Sequence, residues 1–215
     1  MGGWTFGSFF QFYSGHPIDV YDGAAAVRAK NGAGGLVLDQ NGVPYNIGGD
    51  YNLDGVLNDH PVFVGSSLGA VYSGANPADG IFTSNAKIGC GFPGMPANIS
   101  ITTSSSSCTS SPNPLFGNPA YPTGATPYLR FGTLARDVFH GPQFTQMDLG
   151  LKKTFKLTES MNLRLSADAQ NLFNHPNFDC VQANLNSSSF GKAQCLVGTG
   201  NIFSRVISLS ARFAF

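Results

Sequence analysis

Residues Phe203 to Phe215 end the chain with a period of two. Odd positions carry Phe203, Ile207, Leu209, Ala211, Phe213 and Phe215, and even positions carry Ser204, Ser208, Ser210 and Arg212. Such alternation describes a strand with one dry face and one wet face. A terminal strand whose last residue is Phe frays into water unless an apolar medium or a neighbour holds it. The ending therefore constrains the surroundings as well as the fold.

That medium is not crossed by helices. No run approaches the ~18 consecutive apolar residues that a membrane helix needs. A membrane assignment must rest on strands, whose signal is weaker per segment. Charged residues are 11% of the chain, well below the roughly 25% of a typical soluble domain. Formal net charge is zero, which gives no footing for nucleic acid as a partner. Outer-membrane barrels end in the pattern seen here, and their assembly machinery reads it. The assembly signal would be Leu209, Ala211, Phe213 and Phe215.

Four segments alternate strongly enough to be strands: about 3–13, 144–157, 161–173 and 202–215. In the first, Trp4, Phe6, Phe10 and Phe12 share a face. In the second, Met147, Leu149, Leu151, Phe155 and Leu157 do. In the third, Met161, Leu163, Leu165, Ala167 and Ala169 do. A helix over 161–173 would place Leu163 and Leu165 about 200° apart and split the apolar set, so the strand is preferred.

The connections are unequal. Thr158-Glu159-Ser160 is a hairpin-length turn, whereas the links at about 14–143 and 174–201 are long and rich in Gly, Pro, Ser and Asn. Outer-membrane barrels have short periplasmic turns and long extracellular loops. With Phe215 at the periplasmic end, both long links fall outside and the tight turn falls inside. The fold expected is all-β, a fragment of an antiparallel transmembrane β-barrel in the bacterial outer membrane, with lipid as its first partner.

The wet faces would then line a lumen, with Asp148, Lys152, Arg164 and Asp168 pointing inward. Lys152 and Asp168 would lie diagonally across the hairpin. Lys153 falls out of phase on the lipid face, near enough to the periplasmic end for its stem to snorkel. Arg205 is out of phase near the outer interface. The alternative is a soluble β-sandwich with one polar face, which explains neither the loop asymmetry nor the terminal Phe.

Other residues offer weaker signals. Cys90–Cys108 and Cys180–Cys195 would close two local loops in an oxidising compartment; four free thiols are the alternative, and four cysteines permit three connectivities. Asp50, Asn52 and Asp54 occupy positions 1, 3 and 5 of a calcium-loop pattern. Gly55 takes the turn position, the Val56 carbonyl position 7 and Asn58 position 9. Pro61 stands where the bidentate acid belongs, and Asp59 would have to compensate. The competing reading is a solvated Asx-rich turn. His16, His60, His140 and His175 are scattered and read as turn and interface residues. No nucleophile elbow appears, and Asp148 and Asp168 sit among cations, so no enzyme is expected and no cofactor is required. Residues 100–111 read as flexible loop. Tyr121, Tyr128 and Phe131 could contact a ligand or pack the long loop on the barrel rim, and the packing reading is preferred.

Two stretches carry a family resemblance. Asn171-Leu172-Phe173-Asn174-His175-Pro176-Asn177-Phe178 follows a strand, and Phe139-His140-Gly141-Pro142-Gln143-Phe144-Thr145-Gln146-Met147-Asp148-Leu149 opens one. Both resemble the C-terminal barrel of TonB-dependent outer-membrane receptors, in particular the Oar-like group with a carboxypeptidase-regulatory-like domain. Gly2-Gly3-Trp4 running to Phe12-Tyr13-Ser14-Gly15-His16-Pro17 resembles a strand ending of that family. The resemblance implies a barrel of about 22 strands, a plug, and a segment engaged by TonB, through parts that this sequence does not contain. No signal peptide precedes the first strand, which fits a chain whose beginning lies elsewhere. The implied function is uptake of a bulky nutrient; the alternative is a passive porin or a surface-exposed barrel serving adhesion or structure.

Overall fold

The computed structural model describes residues 3–23, 27–28, 30, 33–38, 42, 44, 46–47, 49–52, 54–74, 76–83, 88, 114–119, 131–198 and 203–215. In chain order the strands are β1 Trp4–Tyr13, β2 Pro17–Ile18, β3 Val27–Arg28, β4 Asn46–Ile47, β5 Val62–Phe63 and β6 Phe116–Gly117. They continue with β7 Phe139–His140, β8 Phe144–Lys156, β9 Asn162–Gln170, β10 Asn177–Val181, β11 Ala193–Val197 and β12 Val206–Ala214. One 3-10 turn spans Leu68–Val71. The chain divides into two compact units. One holds Met1–His16, Gly141–Cys180 and Gln194–Phe215, and the other Pro17–His140 and Val181–Ala193.

The first unit is built on a four-stranded sheet in the order β1-β8-β9-β12, antiparallel throughout. Its register follows the side-chain alternation. Trp4 pairs with Lys153, Lys153 with Leu165, and Leu165 with Ala211. One row on, Phe6, Leu151, Ala167 and Leu209 align in the same way. Directly opposed residues share a face, so the odd positions of β8, β9 and β12 and the even positions of β1 form one continuous apolar surface. That surface is not covered: Phe6 is 65% exposed and Leu209 78%. A bare sheet of such rings would be unstable in water and is at home in hydrocarbon.

All four expected strands are present, with trimmed ends. The third stops at Gln170 rather than running to 173, because Asn171 takes a left-handed backbone at φ 47° that leaves the extended region. The tight turn forms as expected. Leu157 and Thr158 N–H both donate to the Met161 carbonyl, at 2.9 and 3.3 Å, and Met161 N–H donates to Thr158 Oγ1 at 3.1 Å.

The 14–143 link, expected as one long extracellular loop, supplies most of the second unit. That unit has a core of its own, with Val20, Tyr51, Val71, Phe116 and Phe139 buried. Phe82 stacks on Phe190 at 5.0 Å and meets Phe139 edge-on at 5.6 Å, and Phe116 meets Phe139 edge-on at 6.1 Å. Each such ring pair contributes about 0.5–1.5 kcal/mol beyond burial. Two-residue pairings join β2 to β7, β3 to β4 and β5 to β6. The unit is held by scattered aromatics rather than by long ladders.

Candidate functional site

The four-stranded sheet carries its chemistry on the other face. From the turn outward, one row is Lys156 and Asn162, the next Thr154, Arg164 and Arg212, and the next Thr5, Lys152, Ser166 and Ser210. Beyond them lies a row of Gly7, Gly150, Asp168 and Ser208. Ser166 and Ser210 hydroxyls hydrogen-bond across the strands at 2.6 Å. The four residues expected to face a lumen, Asp148, Lys152, Arg164 and Asp168, therefore do share one face. Lys152 and Asp168 lie diagonally, as the turn register required, but no ion pair joins them among the described residues. Lys153 projects on the apolar face, with Nζ 4.7 Å from the centre of the Trp4 ring and 5.6 Å from that of Phe155. A cation–π contact there offsets part of the cost of a charge on an apolar surface.

At the far end of this face the strand ends are joined by asparagines. Asn171 is buried, and its N–H donates to Asp148 Oδ1 at 2.9 Å. Its side-chain amide donates to the carbonyls of His175 and Phe203 at 3.1 and 3.3 Å, and its Oδ1 accepts from His175 N–H at 3.1 Å. Leu172 N–H donates to the Met147 carbonyl at 2.7 Å. Asn177, also buried, accepts from Thr145 N–H at 2.8 Å, and Asn174 Oδ1 accepts from Arg205 N–H at 2.9 Å. The Asn-Leu-Phe-Asn-His-Pro-Asn segment thus binds the end of β9 to β8 and to the approach to β12. Alternation did not reveal these roles; the cluster of Asn residues with Pro was the available signal, since Asn tolerates φ > 0. Asp148 is consequently a joint residue as well as a wall residue, and also accepts from Gln146 Nε2 at 3.0 Å.

A second joint closes the mouth between β1 and β8. Gly141 N–H donates to the His16 carbonyl at 2.8 Å. A Cβ on Gly15 would lie 1.9 Å from the Gly141 carbonyl oxygen, so only glycine fits there. Tyr13 stacks on Phe144 at 4.6 Å and on His16 at 5.9 Å, and His16 Nδ1 lies 2.8 Å from Asp179 Oδ2. Cys180 and Cys195 form a disulfide across the β10–β11 ribbon. Cys90, Cys108, Tyr121 and Tyr128 and the 100–111 tract lie outside the described residues. Phe131 is exposed.

Within the second unit, the 50–59 loop folds around its own acids. Asp59 Oδ2 accepts from Tyr51 and Asn52 N–H at 2.6 and 3.0 Å, and Asp59 Oδ1 from the Asn52 amide at 3.1 Å. Asp54 Oδ1 accepts from Val56 N–H at 2.7 Å, and Asp50 Oδ2 from Gly55 N–H at 3.3 Å. Gly55 sits at φ 85°, the turn position. Asn58 is exposed. The Tyr51 hydroxyl donates to buried Asp22 at 2.6 Å, and the Asn186 amide donates to the same carboxylate. These are the bonds of an Asx-type turn. Among the described residues, no three of His, Cys, Asp and Glu converge to hold a metal ion.

Residues 1–207 match the outer membrane beta barrel domain family. The chain belongs to that family. No curated protein matches the sequence, and no solved structure does. The family places this barrel domain in the bacterial outer membrane, where an uncovered apolar face such as that of Phe6, Leu151 and Leu209 suits lipid. In such barrels the short turns are periplasmic; the Thr158–Ser160 turn has that length, and the asparagine joint lies at the opposite end of the sheet.

Proposed function

We propose that these strands are part of the barrel of a TonB-dependent receptor, of the Oar-like group, that takes up a bulky nutrient across the outer membrane. The observation that carries this reading is the asparagine joint. It is built from Asn171 to Asn177, the segment on which the resemblance to these receptors rests. The open sheet supports it. Among the described residues β1 and β12 each pair on one side only. Free strand edges are not tolerated in hydrocarbon, so more strands must complete the wall. A loop unit with its own core, formed from the links between β1 and β8 and between β10 and β11, suits capture of a large ligand.

Binding of the periplasmic domain of TonB to the purified full-length protein tests the reading. A specific complex is expected, together with a closed conductance in planar bilayers. An open pore that ignores TonB would refute the proposal and favour a passive porin.

A further inference from the structure

The wet face of the sheet is not evenly charged along its length. Near the Thr158–Ser160 turn it presents Lys156, Arg164, Arg212 and Lys152, in three successive rows. Its carboxylates, Asp168 and Asp148, begin only in the rows beyond, and Asp148 is tied to Asn171 and Gln146. Glu159 in the turn itself makes no ion pair among the described residues. Arg164 and Arg212 are directly opposed in register, where like charges repel. Arginine cannot relieve that repulsion by losing its proton. Among the described residues, none of the four cations makes an ion pair or a side-chain hydrogen bond. Lys153, on the opposite face, is by contrast held over Trp4.

We propose that this patch binds the carboxylate or phosphate group of an anionic solute inside the barrel, with Arg164 and Arg212 as the paired forks and Lys152 and Lys156 as flanking charges. Two opposed guanidinium groups provide the planar donors that match an oxyanion, and an anion between them turns a repulsive contact into an attractive one. The Ser166–Ser210 hydroxyl pair, one row outward, borders the same position. The inference rests on this face lining the barrel interior and does not depend on coupling to TonB.

Thermal unfolding of the purified full-length protein in detergent, in inorganic phosphate against chloride at matched ionic strength, tests it. Phosphate should raise the unfolding temperature by a few degrees per tenfold increase once its concentration exceeds the dissociation constant. Arg164→Gln with Arg212→Gln should abolish the response without lowering stability in chloride, whereas Lys153→Gln should keep it. Arg164→Lys with Arg212→Lys, which retains charge without the fork, should respond more weakly than wild type. An equal response in wild type and the Gln variant would overturn the proposal. So would no response in wild type; if the Gln variant were then less stable in chloride, an acidic polypeptide segment would be the arginines' partner. Failure to bind TonB would leave this result untouched.

Discussion

In the sheet of the first unit Leu209 is 78% exposed and Phe6 65%, whereas in the second unit Phe116 and Phe139 are fully buried. Both regions are rich in large apolar side chains, but they turn them in opposite directions. The sheet holds its residues outward in regular rows, as the wall of an outer-membrane barrel does. The loop unit gathers its rings into a core of its own. Exposure that would mark a defect in the loop unit is the functional state of the wall.

The contrast can be broken most severely from the loop side. Phe139→Ala removes a ring that meets Phe63, Tyr72, Phe82 and Phe116 edge-on and should cost about 3–5 kcal/mol. The expected outcome is cleavage of the loop unit by protease added to intact cells, with the barrel still migrating as a folded species on unheated gels. Loss of the folded barrel as well would show that the two regions do not behave separately.

On the wall, Leu209→Arg places a charge on the lipid face and should cost about 2–4 kcal/mol near mid-membrane. Ser208→Arg, one residue before it, on the opposite face and across from Asp168, should be tolerated. Folded yield in the outer membrane distinguishes them, and equal yields would contradict the assignment of faces. Asn171→Ala is the mildest change. It removes the side-chain bonds to His175 and Phe203 and puts Ala at φ 47°, for about 1–3 kcal/mol. Hydrogen exchange should rise at 171–178 while the rows from Lys152 to the turn stay protected.

The wall was legible in the sequence because alternation is a local, repeated signal. Phe203 to Phe215 and Met161 to Ala169 each declare their faces without reference to any partner. Its limit was the strand end. Asn171 and Leu172 break the period, but Leu172 and Phe173 are apolar enough to pass for more strand, and the break alone does not show that Asn171 turns the chain. The loop unit was illegible for the converse reason. Phe63, Phe82, Phe116, Phe139 and Phe190 are far apart in sequence, and the two-residue strands that hold Phe63, Phe116 and Phe139 are too short to show a period. Of the candidate residues, Asp148, Lys152, Arg164 and Asp168 were placed on one face by parity alone. The hydrogen bonds that make Asp148 part of the asparagine joint depend on a backbone turn that parity does not encode.

A barrel wall must divide lipid from an aqueous interior. Single spin labels at successive positions from 147 to 155 in the full-length protein, reconstituted in lipid, test it through collision with oxygen and with a water-soluble nickel chelate. A strict period of two is expected, with labels at 147, 149, 151, 153 and 155 favouring oxygen and those at 148, 150, 152 and 154 favouring nickel. Odd positions shielded from both reagents would mean that the apolar face packs against protein, as in a soluble sandwich, and would refute a lipid-facing wall.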